Sequence, residues 1–395
     1  MNSPVFRLRL VSLATLFAAV NDGYAADSIA PCEGFPDQRP ALSGAMSNSM
    51  LGVAWAGSRA VSTRLAREAR PEDPGAAIEE FLVFDDFSDA KDGMVLAVEP
   101  KHREARWEIF GSLFFHAGRS GEDRRRAEES VAERVSSTCD DMLERVACLS
   151  ETTLSVESSL EVFGGSAGFE YRWNEPWSVG LALSASQGDL EMGSVGNGDI
   201  ESLSVTPYLS YYRGDLLGTA DFWAGLLYSV GRHNFDIRRN ADGGIVRGDS
   251  DGTTQALELN MGLNLGEEDW VHGPYAGLRY LNGSMGAYTE LGPDGSYIGG
   301  QKSDSLVSLF GYRAAWRIPT MGGFWLPQLR VGWEHGYDER SHEIAGEELD
   351  GDFAAVAAGI AYRWESGWNL GLEYEGRWGA DERAHYGAVR GGKEF

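Results

Sequence analysis

The sequence predicts an all-β fold, a 12-stranded antiparallel transmembrane β-barrel with an N-terminal α-helix in its pore. Three observations carry this. Segments with an apolar residue at every second position recur from about Arg106 to the end of the chain at Phe395, as expected where one strand face meets lipid and the other a wet lumen. The connections between them alternate between short and long, the habit of outer-membrane barrels. Beyond an N-terminal leader, no stretch approaches the roughly 20 apolar residues of a membrane helix. A membrane location would then need a closed barrel, because lipid offers no partners to open strand edges.

The leader comes first. Arg7 and Arg9 precede an apolar run from Leu10 to Val20, and Gly23-Tyr-Ala25 supplies small residues for cleavage. Residues 1–25 read as a secretory signal peptide. Residues 26–45 are polar and irregular, a short N-terminal remnant too small to fold alone. Residues 46–70 read as one helix ending before Pro71. Its first half is built from small residues, among them Ser49, Gly52, Ala54, Ala56, Gly57 and Ser58, and Arg59, Arg64, Arg67 and Arg70 crowd its second half. At 1.5 Å per residue it is roughly 38 Å long, enough to thread a pore. Residues 71–105 are acidic and are placed on the periplasmic side.

The barrel itself is expected over 106–395. Twelve strands are predicted at 106–117, 159–173, 177–187, 200–213, 222–237, 253–265, 272–288, 303–317, 323–337, 352–364, 367–378 and 383–395. The longer connections are 118–158, 188–199, 238–252, 289–302 and 338–351. In Trp368–Trp378, one face carries Trp368, Leu370, Leu372, Tyr374 and Trp378, and the other Asn369, Gly371, Glu373, Glu375 and Arg377. Buried carboxylates at Glu373 and Glu375 need partners, and the arginines of the helix are expected to supply them.

The formal charge is −26, and removal of the leader leaves 32 basic and 59 acidic residues, or −27. That excludes nucleic acid as a partner. Export implies an oxidising compartment, so Cys139 and Cys148 are expected to form a disulfide within one loop. No CxxC pair or histidine cluster suggests a metal, and no cofactor is expected. His233 with Asp236 and His335 with Asp338 are the Asp–His pairs able to activate water, but no serine motif accompanies either, so no enzyme is expected. Arg247-Gly-Asp249 falls in a predicted outer loop.

Several motifs, in order, resemble the β-domain of the autotransporters of type V secretion. They are Gly164-Gly-Ser-Ala-Gly168 leading into Trp177-Ser-Val-Gly180, Gly225 to Arg238, Pro274-Tyr-Ala-Gly-Leu-Arg-Tyr280 with Tyr288-Thr-Glu290, Ser305 to Gly311, and Pro327 to His335. Phe395 resembles the terminal aromatic that barrel-assembly machinery reads, although Lys393 stands where an apolar residue is typical. The resemblance implies an outer-membrane protein of a Gram-negative bacterium, monomeric, set in lipid and lipopolysaccharide, that moves an N-terminal passenger to the surface. A stand-alone channel and an adhesin acting through its loops remain open as alternatives.

Overall fold

In a computed structural model, the described residues are 46, 49–59, 61–62, 106–120, 158–174, 176–193, 195–214, 220–241, 243–266, 269–293, 295–337, 351–379 and 382–395. Residues 46, 49–59 and 61–62 are helical. The strands are β1 (Arg106–Ser120), β2 (Ser158–Asn174), β3 (Trp177–Met192), β4 (Gly196–Arg213), β5 (Ala220–Ala241), β6 (Gly244–Leu265), β7 (Trp270–Met285), β8 (Tyr288–Thr289), β9 (Tyr297–Ile298), β10 (Gln301–Trp316), β11 (Ile318–Thr320), β12 (Gly323–Gly336), β13 (Asp352–Trp364), β14 (Trp368–Trp378) and β15 (Glu382–Glu394). β11 continues β10 along the same partner, and β8–β9 is a small hairpin outside the wall. The rest form a ring of 12 antiparallel strands, each paired with its sequence neighbour and closed by β1 against β15.

Pro207, Pro274 and Pro327 each sit between two neighbouring strands of the wall and interrupt one ladder only. Pro207 pairs with Leu181 while the β4–β5 register skips its position. Pro274 pairs with Tyr312 while β6–β7 skips, and Pro327 pairs with Ile360 while the pairing of β10 and β11 with β12 skips. A residue without an N–H gives up one neighbour and keeps the other.

The faces of β13 and β14 follow the alternation. Trp368, Leu370, Leu372, Tyr374, Val356 and Ile360 are exposed on the outside, and Glu373, Glu375, Phe353, Ala355 and Ala357 are buried inside. The rim at which β1, β3, β5, β7, β12 and β14 begin carries an aromatic belt. Trp107 packs on Tyr171 at 4.5 Å, Trp177 on Tyr211 at 4.7 Å, Trp270 on Trp316 at 4.7 Å and Trp325 on Tyr362 at 4.8 Å. Rings that are apolar in body and polar at the edge suit a lipid–water boundary. Lys393 fits there because its ammonium lies over the rings of Trp368 and Phe395, at 5.2 and 4.8 Å, a cation–π seat with the stem along apolar surface.

Two of the expected outer loops are strand instead. β3 and β4 stay paired through Met192 and Gly196, and β5 and β6 through Ala241 and Gly244. What reads as loop at 188–199 and 238–252 is a tall hairpin wall with tight turns at its tips. Arg247-Gly248-Asp249 is therefore held in β6, paired with β5, and is not looped out. Arg64, Arg67, Arg70, Cys139, Cys148 and segments 1–45 and 71–105 lie outside the described residues.

Close approach across the lumen face rests on particular glycines. A Cβ on Gly180 would lie 2.1 Å from the Tyr208 ring opposite it, whereas one on Gly387 would meet nothing nearer than 3.9 Å. Gly180→Val is expected to destabilise the barrel by about 1–3 kcal/mol through overpacking, seen as a lower urea midpoint in lipid vesicles. Gly387→Val should leave that midpoint nearly unchanged.

Candidate functional site: a helix seated in the lumen

The lumen holds the helix. Met46, Met50, Leu51, Val53, Trp55, Ala56, Ser58, Arg59, Val61 and Ser62 are all buried, so the helix is enclosed on every side. Its early turns meet an apolar cluster formed by Leu160, Val162, Leu190, Met192, Ile200, Phe235, Ile237 and Met285. These residues lie at the strand ends of the long-loop rim. The later turns meet the lower lumen, where Val61 clusters with Phe110, Tyr208 and Leu227. The chain thus runs from the long-loop rim at Met46 towards the short-turn rim at Ser62, the rim at which β1 begins. Gly52 sits close to the wall, where a Cβ would come 2.8 Å from the end of the Leu160 side chain; Gly57 has ordinary clearance to Ser204.

Below the apolar half lies a buried ionic network. The Arg59 guanidinium donates to Glu375, as the alternation and the basic helix predict. Arg330 donates to both Glu373 (3.0 Å) and Glu375 (2.9 Å), and Arg390 lies 3.2 Å from Glu373. Arg377 approaches Glu334 at 2.8 Å and donates to Glu382 at 2.9 Å. On the facing wall Ser62 donates to Glu258, which also accepts from Asn260 at 2.6 Å and from Arg279 at 3.2 Å. Glu373 is thus reached by two wall arginines, Arg330 and Arg390. Glu258, Arg279, Arg330, Glu334 and Arg390 were not singled out by sequence. Their signal is a charge on the inward position of an otherwise apolar or small-residue strand, visible only once the face is known. Buried charges are retained where geometry and partners compensate desolvation, and removing one partner is then costly.

A cap closes the outer side. Hairpin β8–β9 buries Tyr288 and Ile298 against the apolar cluster. Arg239 of β5 holds Glu290 through two parallel bonds, Nε at 2.9 Å and a terminal nitrogen at 2.6 Å, the strong bidentate form. Leu291 and Arg247 exchange backbone bonds of 2.7 and 3.0 Å. The Tyr288 ring lies over Gly248, where a Cβ would come 2.5 Å from it. The central glycine of Arg247-Gly248-Asp249 is therefore a seat for the cap. Burial, with the Glu290 carboxylate second, pushes the Tyr288 hydroxyl pKa up. Glu290→Ala removes charge-assisted bonds of about 1.5–3 kcal/mol each. It is expected to speed cleavage within 286–300 by added protease at least tenfold, with the barrel still migrating as folded in unheated gel samples.

His233 and Asp236 do not assemble as a pair, and Asp338, the expected partner of His335, lies outside the described residues. His233 points inward and bonds the hydroxyls of Ser202 (2.6 Å) and Thr254 (2.8 Å), while Asp236 points outward and faces Arg238. His335 meets Asp352 at 2.8 Å on the outer surface, between Trp333 and Tyr337. No group of three or more metal-ligating side chains occurs among the described residues.

A closed 12-stranded barrel whose lumen is occupied by its own N-terminal helix defines a β-barrel translocator domain. The profile of the Autotransporter beta-domain matches residues 150–375, and the chain belongs to that family. Among solved structures, the translocator domain of the autotransporter NalP from Neisseria meningitidis is similar in fold, with a TM-score of 0.57 and 17% identity over 87% of this chain and 98% of that one. The beta domain of the Bordetella autotransporter BrkA gives 0.53 and 17% over 72% and 98%. No curated protein sequence matches the chain.

Proposed function

We propose that this barrel works as an outer-membrane translocator of autotransporter type, held shut by the helix it has threaded, with residues 26–45 presented at the cell surface after the 1–25 signal peptide is removed. The direction of the helix supports this most. Its start packs at the long-loop rim and its end in the half that faces the short-turn rim, so chain N-terminal to Met46 leads to the outer mouth. Location in the outer membrane of a Gram-negative bacterium follows from the family. Lipid and lipopolysaccharide surround the wall, the barrel is a monomer, and Phe395, more than half exposed beside Trp107, is the handle for the assembly machinery. The work is transport and not catalysis. The ionic network positions the helix.

An epitope tag after Asp27 tests the reading. Labelling in intact cells, on a chain of full mature size, is expected. A tag reached only after the outer membrane is opened refutes surface presentation and leaves a closed structural barrel. The stand-alone channel is disfavoured by the packed lumen, and adhesion through Arg247-Gly248-Asp249 by its place in a paired strand.

A further inference from the structure

Beside the helix, on the side away from the tall β3–β6 wall, lies a cavity of about 140 Å³, bounded by the helix and by strands β1, β2, β7, β10, β12, β13, β14 and β15. We propose that it binds a small amphipathic anion, a single ring or short chain bearing one carboxylate.

The chemistry of the lining selects that class. Leu160, Leu281, Val307 and Phe353 offer an apolar body site, and an apolar cavity of about this size takes up one small ring. Two of its lining residues carry a buried polar atom with no hydrogen-bond partner, the indole Nε1 of Trp55 and Nδ1 of His116. Both side chains are more than nine-tenths buried, at 7% and 5% exposure, and their rings lie 5.0 Å apart. An indole N–H only donates, so only an acceptor satisfies it. A carboxylate offers two, and its second oxygen takes Nδ1 of His116 when that nitrogen carries the proton.

The charged lining is Arg119, Arg279 and Arg377 with Glu382, and Glu258 and Glu334 stand behind Arg279 and Arg377. The two deeper guanidinium groups are fixed before any ligand arrives. Arg279 gives its Nε to Glu258 and stands 5.8 Å from the Trp55 ring centre. Arg377 lies 3.6 Å over the Phe353 ring and is held by Glu334 and Glu382. Preorganised donors spare a ligand the cost of ordering them. Trp55, Leu51 and Gly52 belong to the helix, so the site exists only while the helix is seated. A ligand there favours the plugged state by mass action.

Benzoate and benzyl alcohol, titrated by saturation-transfer NMR against the full-length mature chain refolded in detergent micelles, make the test. The expected result is saturable binding of benzoate, at least tenfold weaker for benzyl alcohol and roughly tenfold or more weaker in Trp55→Phe, the loss of one hydrogen bond to a charged group. Val307→Trp, which fills the cavity from the wall, should abolish it. Heat-modifiable gel migration identifies folded samples. A folded wild type that gives no more signal than empty micelles, Trp55→Phe unchanged, or equal affinity for the two probes each overturns the proposal, the first leaving a water-filled cavity. None of these outcomes bears on surface presentation of residues 26–45, which the epitope tag reads separately.

Discussion

Deleting residues 46–62 is expected to convert a silent barrel into an open pore in planar bilayers. A helix with its side chains fills a cylinder roughly 10–12 Å across, and the hydrocarbon core it crosses is about 30 Å thick, so its removal should raise single-channel conductance on the order of tenfold or more over the intact protein. The wall should survive the deletion. Its ladder is continuous from β1 round to β15, and the carboxylates facing the helix keep wall partners, Glu375 on Arg330 and Glu258 on Arg279 and Asn260. The apolar cluster at the outer rim loses Met46, Met50, Leu51, Val53 and Trp55, each worth about 1.5–3 kcal/mol of burial where fully enclosed. The cap therefore loses what it packs on, and the outer mouth should open with the lumen. Unheated gel migration separates a folded, open barrel from an unfolded one. An equally large conductance in the intact protein would sink the plugged reading, since the helix would then not obstruct the path.

The wall was legible because two solvents write a period of two. Between the rims, leucines and aromatics alternate with small or charged residues, and Leu370, Glu373 and Glu375 could be assigned to faces from sequence alone. The tall β5–β6 hairpin was misread because beyond the lipid the alternation keeps its period and inverts its meaning. There Arg238, Asp249 and Asp251 face out into water, and Val246 faces inward. A search for an apolar outer face sees only charge and glycine, and reads a loop. The Arg59–Glu375 pair was foreseeable as a basic helix meeting an acidic face. Arg330, Arg390 and Glu334 were not, because which inward charges meet across a lumen depends on strand stagger around the ring, and no local pattern encodes that.

Reversing the charge of Arg59 should unseat the lower half of the helix. Arg59→Glu would set a new carboxylate against Glu375 and near Glu258 and Glu334, all of them buried. Breaking a buried pair by removing one partner costs about 3–5 kcal/mol, which shifts a seated-to-released equilibrium by roughly two to three and a half decades. The upper half should hold, because its apolar anchors together outweigh that loss, at about 1.5–3 kcal/mol each. The expected trace is therefore flicker between a closed level and an intermediate one, well below the level of the 46–62 deletion. Arg59→Met, which removes charge without adding repulsion, should flicker less. Combining Arg59→Glu with Glu375→Arg should recover part of the quiet state, and only part, since Arg330 would then face one carboxylate fewer. Arg59→Glu as silent as the parent would show that the ion pair is incidental to seating and that apolar packing alone retains the helix. Full opening by Arg59→Glu would show the reverse, that the network is the seat and the apolar half merely follows it.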